Sequence, residues 1–337
     1  MNLPDFSSVA SALVIKPSSL GDIVHALPAV HRIKCTFPQV RLSWLVNPEW
    51  APLLRGNPDV AEVVEFPRGK FRGLSGMWRF RSWLGAFRQR PHPDVALDFQ
   101  GLFRSAFLGR KSGARCVVGL ADSREGAGLL HHVRVPVGAS MHAVDRYLAL
   151  AAACGAGEGP LEFPMPEGAC PPALAPDAVP VGRFVLLHPF SRGSGKSLRA
   201  EQVREFCERM APERIFLAGK LETGEPLGPL PTNTANLLNQ TTLPELCWLM
   251  RRAAFTVSVD SGPMHMAAAL SSKLVSLHTW SDPRLVGPYP ADAWVWKAGK
   301  FFQRGATESA IAAARQPFPD SGVAPLVDFV RARLAGD

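Results

Sequence analysis

The chain has 337 residues, 47% of them hydrophobic and 20% charged, and 37 Lys and Arg against 29 Asp and Glu give a net charge of +8. This length predicts about two domains, and the apolar content excludes a disordered or fibrous protein because it can fill sizeable cores. No apolar run reaches the roughly 20 residues of a membrane-spanning helix, and no basic segment precedes the short apolar stretch near the N-terminus. We therefore expect a cytoplasmic protein with neither a membrane span nor a cleaved signal peptide.

Strands and helices are predicted to alternate along the first half of the chain. Residues 11–16 form a continuous apolar run that predicts a buried strand, and residues 22–35 have helical spacing. Further strands are predicted at 41–46 and 93–99, and a helix at 140–155.

A proline-rich stretch then divides the chain. Prolines recur within residues 160–180 too often for a helix or a central strand to persist, which predicts an interdomain linker. The alternation resumes after it, with strands predicted at 183–190, 214–219, 255–260 and 274–280 and helices at 199–211, 243–253 and 263–272.

Alternation of this kind predicts an α/β protein with two doubly wound domains, each built on a parallel sheet, facing one another across a cleft. Ligands of such sheets bind beyond the carboxyl ends of the strands. The loops that follow the predicted strands are therefore the places to look for chemistry. The six cysteines lie too far apart for a metal or redox motif and predict buried thiols.

Residues 16–22, Lys-Pro-Ser-Ser-Leu-Gly-Asp, join the first strand to the first helix. Gly21 permits close backbone approach, and the free N–H groups of a helix start can receive an anion, although Ser and Asp are also ordinary helix caps. Asp22 also stands where a general base would be placed. At the end of the strand at 93–99, Asp98, Gln100 and Arg104 predict a hydroxyl- or phosphate-binding turn or, individually, caps and surface residues.

The second half has a comparable loop before the helix at 263–272. Ser261 and Gly262 leave N–H groups free for phosphate oxygens, with Asp260 before them and His265 after them. His265 could equally face the core of the domain.

Two further loops suit a nucleotide. Residues 191–197 end in Gly-Lys-Ser like a P-loop, but Phe190 occupies the place of the leading glycine of that motif. We therefore predict only a basic, hydroxyl-rich loop that binds a diphosphate through the charge of Lys196. After the strand at 214–219, Glu222 and Glu225 are candidate ribose ligands, and spacing does not choose between them.

Taken together, these segments resemble the glycosyltransferase family 9 heptosyltransferases, which build the inner core of lipopolysaccharide. The resemblance spans nearly the whole chain and is nearest to heptosyltransferase I. The matching segments are residues 14–30, 96–106, 142–148, 188–198, 257–270 and 280–289.

The resemblance implies a GT-B fold and a division of labour between its domains. Residues 1–168 would form a Rossmann-like acceptor domain, 169–182 a linker and 183–310 a Rossmann-like nucleotide-sugar domain, while 311–337 would hold a final helix that packs back on the first domain. It also implies inverting transfer of L-glycero-D-manno-heptose from ADP-heptose to the Kdo of lipid A, with no metal and no cofactor.

On the matching motifs, Asp22 would be the general base, Asp260 would contact the donor sugar, and Glu222 or Glu225 would bind the ribose. The donor diphosphate and nucleotide would be bound by Ser191, Ser194, Lys196, Ser261, Gly262 and His265, and the sugar or acceptor side would be lined by Lys16, Ser18, Ser19, Gly21, Gln100 and Arg104. The chain departs from the family after Lys196, where many members carry a Trp-Pro pair, and at Pro263, which leaves another sugar nucleotide open as the donor.

The positive charge is concentrated in the segment from Phe66 to Pro93, and this segment contains no Asp or Glu. Its basic residues alternate with aromatic ones and are Arg68, Lys70, Arg72, Arg79, Arg81, Arg88 and Arg90. Nucleic acid, a solvated helix face, or the anionic acceptor and inner-membrane surface could explain them. We expect the last, hence a peripheral enzyme that binds no nucleic acid. A nucleotide-regulated binding protein without transfer activity is the alternative of a different class.

Overall fold

The computed structural model describes residues 3–174, 179, 182–193, 195–221 and 227–336. The chain divides into two compact units, Met1–Pro166 and Glu167–Asp337. Ser194, Glu222 and Glu225, three of the predicted nucleotide ligands, lie outside the described residues.

The first unit is built on a six-stranded sheet in the order β3-β2-β1-β4-β5-β6, and every neighbouring pair is parallel. Its strands are β1 (Ser11–Ile15), β2 (Arg41–Val46), β3 (Glu62–Glu65), β4 (Val95–Asp98), β5 (Cys116–Leu120) and β6 (Val133–Val135), and its helices are α1 (Leu20–Thr36), α2 (Gly73–Arg88), α3 (Phe103–Lys111) and α4 (Ala143–Ala153). The chain winds outward from β1 to β3 and then returns to place β4 beside β1. The pair β1 and β4 is therefore the switch point at which an open parallel sheet forms its crevice.

The second unit repeats this arrangement in a seven-stranded sheet of order β13-β12-β11-β10-β7-β8-β9. Its strands are β7 (Phe184–His188), β8 (Arg214–Gly219), β9 (Thr234–Leu238), β10 (Phe255–Val259), β11 (Leu274–Leu277), β12 (Trp294–Lys297) and β13 (Lys300–Gln303), and its helices are α5 (Ala200–Arg209), α6 (Leu243–Arg252), α7 (Gly262–Leu270), α8 (Pro283–Val286), α9 (Ser309–Ala313) and α10 (Val323–Ala335). Only β13 runs antiparallel to its neighbour, and the switch point lies between β7 and β10.

The predicted fold class is confirmed, because both units are doubly wound α/β structures. The predicted strands and amphipathic helices lie where their apolar patterns placed them. The strands that the sequence did not predict are at or next to a sheet edge, and they are β3, β5, β6, β9, β12 and β13.

The buried face of the final helix, α10, belongs to the core of the second unit, where it packs on α5 and β10. The reason is the spacing of Val323, Leu326, Val327 and Val330, which places four apolar side chains on one stripe of α10 that continues this core. The packing of this helix on the first unit stays a prediction.

Helix α2 is fixed to the first unit by a row of aromatic side chains. Phe80, Trp83 and Phe87 pack with Phe66 and Phe71 in the core cluster beneath the helix. The turn that precedes α2 lies so close that a Cβ added at Gly76 would be 2.3 Å from the carbonyl carbon of Phe71. The first turns of α2 can therefore approach that turn only through a glycine.

Two glycines of α2 give a matched test of this packing. We expect Gly76→Ala to lower the free energy of unfolding by about 1–3 kcal/mol because the new methyl group overlaps backbone. Gly85→Ala, whose added Cβ would have no heavy atom within 4 Å, should raise it by up to about 1 kcal/mol through helix propensity. Chemical denaturation of both variants checks the pair, and equal effects of one sign would contradict the packing.

Candidate active site

The predicted general base lies at the carboxyl end of β1. Ser19 and Asp22 form a capping box at the start of α1, in which the backbone N–H and the hydroxyl of Ser19 donate to Oδ2 of Asp22 at 3.0 and 2.6 Å. The Asp22 side chain nevertheless remains 40% exposed. A carboxylate that is oriented by local hydrogen bonds and still open to solvent can accept a proton from a bound hydroxyl.

Lys16 lies behind this carboxylate and does not line an open surface, which differs from its expected place on the sugar side. Its side chain is buried, and Nζ donates to the carbonyl oxygen of Phe99 at 3.2 Å and lies 3.7 Å from Oδ1 of Asp22. The ring of Tyr147 lies against the ammonium group, with 5.2 Å between Nζ and the ring centroid. Burial acts to lower the pKa of Lys16, but Tyr147, Asp22 and Asp98 outweigh it and raise the pKa. The cation therefore stabilises the ionised form of Asp22.

The turn after β4 is held by a buried carboxylate. Oδ1 of Asp98 accepts two backbone N–H groups of the turn at 3.0 Å, while Oδ2 accepts the Ser105 hydroxyl at 3.0 Å and contacts Nε2 of His131 at 2.9 Å. The turn presents Gln100, whose Oε1 accepts the backbone N–H of Ser18 at 3.4 Å. Asp98 is therefore structural, whereas Ser18 and Gln100 meet across the switch point.

The remaining predicted acceptor residues occupy different environments. Gly21 is buried in the first turn of α1, and Ser19 is exposed. Arg104 is exposed in the first turn of α3, where partial burial and then the positive charge of Arg68 lower its pKa. The turn before α2 thus lies within electrostatic reach of the start of α3.

The predicted donor residues meet at the carboxyl ends of β7 and β10. Nζ of Lys196 lies 2.6 Å from Oδ2 of Asp260, and the Ser191 hydroxyl donates to the main-chain oxygen of Asp260 at 3.3 Å. Ser281, from the loop after β11, donates to the same Oδ2 at 2.7 Å. Two loops that were predicted to bind the donor and one without a predicted role are therefore joined through a single carboxylate.

This carboxylate is ionised across the physiological range. Burial acts to raise the pKa of Asp260, but interactions with His278, Lys196 and Ser281 outweigh it and lower the pKa to about 2. Burial likewise lowers the pKa of His278 to about 4 against the attraction of Asp260. At neutral pH a neutral imidazole therefore bonds Ser281 through Nδ1 at 2.9 Å, and Lys196 is the cation that faces Asp260.

The start of α7 offers polar groups to an anion. Ser261 is the N-cap and Gly262 the first residue of this nine-residue helix, so backbone N–H groups and the positive end of the helix dipole converge there. The Ser261 hydroxyl, Nε2 of His278 and Oγ1 of Thr279 are buried and have no hydrogen-bond partner among the described residues. His265, half-buried in the same helix, lies within electrostatic reach of His278. The chemistry of this set suits a ligand rich in phosphate and hydroxyl oxygens.

Four further residues of this site had no role predicted from their sequence: His278, Trp280, Ser281 and Lys297. Nζ of Lys297, at the end of β12, donates to the carbonyl oxygen of Ser281 at 3.0 Å and so fixes this loop. The ring of Trp280 lies against the diphosphate loop, since a Cβ added at Gly195, where φ is +72°, would be 2.7 Å from Nε1 of Trp280. The segment 280–289 carried the family resemblance, but no spacing rule connects it to Asp260.

The predicted basic surface is only partly as expected. Six of its members are exposed, but Arg90 is half-buried and forms an ion pair with Glu62 at 2.5 Å. Most aromatic residues between them face inward and pack in the core, and Trp78 is the exception. A row of exposed stacking rings, as single-stranded nucleic acid requires, is therefore not formed.

The buried histidines of the second unit predict the direction of its pH dependence. Burial lowers the pKa of His188, at the end of β7, to about 4 as it does for His278, so the unfolded chain binds more protons between about pH 6.5 and 4. Stability is expected to fall as the pH drops through that window, by about 3 kcal/mol for each such histidine. Melting temperatures between pH 7 and 4 should decline less steeply in His188→Leu than in His92→Leu, which replaces an exposed histidine. Parallel curves for the two variants would contradict the buried neutral state.

The sequence of this chain is similar to that of a known protein family and of named relatives. Residues 88–301 match the model of "Glycosyltransferase family 9 (heptosyltransferase)". Lipopolysaccharide heptosyltransferase 1 of Pseudomonas aeruginosa is 29% identical over 298 residues, which are 82% of this chain and 81% of that protein. The enzyme of the same name from Escherichia coli K12 is 27% identical over 305 residues, 85% of this chain and 93% of that protein.

A solved structure extends the likeness to the fold. E. coli heptosyltransferase WaaC with ADP-2-deoxy-2-fluoro heptose superposes with a TM-score of 0.73 at 21% identity, covering 95% of this chain and 99% of that chain. The match to the family model covers more than half of the sequence and includes the whole donor network from Ser191 to Lys297. The chain therefore belongs to glycosyltransferase family 9, the heptosyltransferase family, and is a glycosyltransferase.

Proposed function

We propose that this protein transfers L-glycero-D-manno-heptose from ADP-heptose to the Kdo of lipid A during synthesis of the lipopolysaccharide inner core, with inversion and without a metal. The observation that carries the proposal is the Asp22 carboxylate, which is oriented by Ser19, backed by the buried Lys16 and still 40% exposed. The names of the relatives support the reaction class, and the heptose nucleotide analogue in the WaaC structure supports the donor.

The donor is proposed to bind at the start of α7. Lys196 would exchange its contact with Asp260 for the diphosphate, which also receives the hydroxyls of Ser191 and Ser261 and the N–H groups of the helix. Asp260 would keep its hydrogen bond from Ser281 and accept one from a hydroxyl of the sugar. For Ser194 and for the ribose contact of Glu222 or Glu225, the support is the resemblance of their motifs.

The proposed transfer is a single displacement. The acceptor hydroxyl oxygen attacks the anomeric carbon, its proton passes to Asp22, and the bond from that carbon to the diphosphate oxygen breaks, so that ADP leaves with the electron pair. Lys196 and the helix N–H groups neutralise the charge that develops on the leaving diphosphate. Among the described residues no three His, Cys, Asp or Glu side chains are grouped to hold a metal ion.

The acceptor is lipid-linked, so we propose a peripheral enzyme at the cytoplasmic face of the inner membrane. Of the helices that the structure describes, none combines the length and the apolar character needed to cross a bilayer. Gln100 and Arg104, in the turn and helix that follow β4, are proposed to contact the acceptor. The exposed basic residues around α2 supply charge complementary to anionic lipid and to acceptor phosphates.

Removal of the base is expected to abolish most of the activity. Asp22→Asn keeps the size and one oxygen of the side chain but cannot take up the proton, so turnover should fall about 10²–10⁴-fold while affinity for the donor changes little. The assay follows ADP release from ADP-heptose in the presence of Kdo-lipid A. Asp5→Asn is the matched control, because Asp5 also caps a helical turn.

Two outcomes of that assay would count against the proposal. Release of ADP by the unaltered protein no faster than in a reaction without protein would overturn heptosyl transfer to this acceptor, and a panel of other sugar nucleotides would then expose a different donor. Full activity of Asp22→Asn would remove Asp22 from the chemistry.

Lys196→Met is expected to weaken ADP binding about 10- to 100-fold, the magnitude of a lost charge-assisted hydrogen bond. Lys196→Arg should restore part of the affinity because it keeps the charge. Calorimetric titration with ADP measures the effect, with Lys300→Met, which removes an exposed lysine of the same unit, as the control. Unchanged affinity in Lys196→Met would place the diphosphate elsewhere.

A further inference from the structure

Among the described residues of the first unit, the exposed large apolar side chains lie in the connections that leave the carboxyl ends of β3, β4 and β5. They are Leu74, Met77, Trp78, Phe103 and Leu129. Because the sheet is parallel throughout, those strand ends share one edge with the end of β1, which Asp22 follows. Exposed apolar groups are therefore gathered toward the edge of the sheet that carries the proposed acceptor site.

The densest group is on the first two turns of α2. Leu74 is 83% exposed, Met77 57% and Trp78 73%, and their spacing of three and four residues places them on one stripe of the helix. The opposite face of α2 holds Phe80, Trp83 and Phe87 in the core. One apolar face thus fixes the helix to the core, and a second apolar face points outward. A contiguous apolar patch exposed on a protein surface marks an interaction site.

Positive charge surrounds the outward stripe. Arg68, Lys70 and Arg72 precede it, Arg79 and Arg81 lie beside it, and all five are exposed. The guanidinium of Arg81 lies over the ring of Trp78, 5.9 Å from its centroid. With no acidic residue between Phe66 and Pro93, this surface combines apolar side chains and uncompensated cations, the pattern of helices that lie in the interface of an anionic membrane.

We propose that residues 68–81 form an interfacial anchor, in which Leu74, Met77 and Trp78 insert into an anionic lipid bilayer while the surrounding Arg and Lys contact its headgroups. The proposal rests on the proposed function for the identity of the membrane, since that function places the acceptor in a bilayer. Seated in this way, the first unit turns the sheet edge that carries Asp22 toward the lipid surface. A nucleic acid would need exposed stacking rings, and the core holds most of them.

Vesicle binding tests the anchor. The full chain should co-sediment with vesicles of phosphatidylcholine and phosphatidylglycerol and much less with phosphatidylcholine alone. The combined change Leu74→Ser, Met77→Ser and Trp78→Ser should reduce binding by about tenfold or more, whereas Val286→Ser, at an exposed apolar position of the second unit, should not. Arg79→Glu with Arg81→Glu should remove the preference for anionic vesicles.

Fluorescence locates the inserted residue. Brominated phospholipid should quench part of the emission of the eight tryptophans, and that part should be lost in Trp78→Phe, which still binds. Because the three changed positions are largely exposed, melting temperatures should match the unaltered protein and exclude unfolding. Wild-type binding by the triple variant, quenching that persists in Trp78→Phe, or binding to RNA and not to vesicles would each overturn the anchor.

Activity measurements separate the anchor from the transferase function. Transfer to Kdo-lipid A embedded in vesicles should fall in the triple variant, while transfer to a deacylated acceptor in solution should be unchanged. If the unaltered protein transfers no heptose to either acceptor yet binds anionic vesicles through Trp78, the proposed function fails and the anchor stands. If it transfers heptose and the triple variant binds vesicles normally, the anchor fails alone.

Discussion

Parallel pairing at the two switch points is the constraint on which both sites depend. β4 lies beside β1, and β10 lies beside β7, because each sheet first winds to one side and then returns to start again on the other. The connections at these pairs leave in opposite directions, so the backbone opens a crevice at the carboxyl ends. Ser18 and Gln100 meet in the first crevice, and Ser191 and Asp260 in the second.

The chain uses two aspartates in opposite electrostatic settings. Asp260 is buried and paired directly with Lys196 at 2.6 Å, and its carboxyl group also accepts a hydroxyl, which suits a group that holds a ligand and keeps its charge. Asp22 is partly open, and its cation, Lys16, is buried behind it at 3.7 Å. The longer distance to its cation goes together with a carboxylate that remains 40% exposed. The difference in burial suits the different tasks that are proposed for the two carboxylates.

Family membership and physical geometry support different parts of the functional proposal. The family match covers the donor network and shows a glycosyltransferase. The contacts within each unit show an oriented, partly exposed carboxylate in one unit and a polar helix start in the other, and the proposed base and anion site rest on these two features. The identity of the sugar and the acceptor rests on likeness to named heptosyltransferases. The lipid-facing surface of α2 rests on exposure and charge alone.

Much of the candidate site could be predicted from the sequence because motif residues directly follow apolar runs. Asp22, Lys196 and Asp260 each lie at the end of a predicted strand or in the loop that follows it, and a parallel sheet brings such positions to one edge. The partners of these residues could not be predicted in that way. Ser281 and His278 reach Asp260 from another strand end, and Tyr147 reaches Lys16 from α4, since strand order and helix packing join segments that are remote in the chain.

The sequence by itself determined the alternation of elements, the class of fold, the concentration of positive charge before Pro93 and the loops in which chemistry should be sought. These are properties of local period and composition, which neighbouring residues set. Only the tertiary structure decided that Lys16 is a buried support, that Arg90 is neutralised by Glu62 and that α10 belongs to the second unit. It also decided which aromatic residues of α2 face the core and which face outward. A helix with apolar side chains on two faces does not itself determine which face is buried, because burial depends on the surface that packs against it.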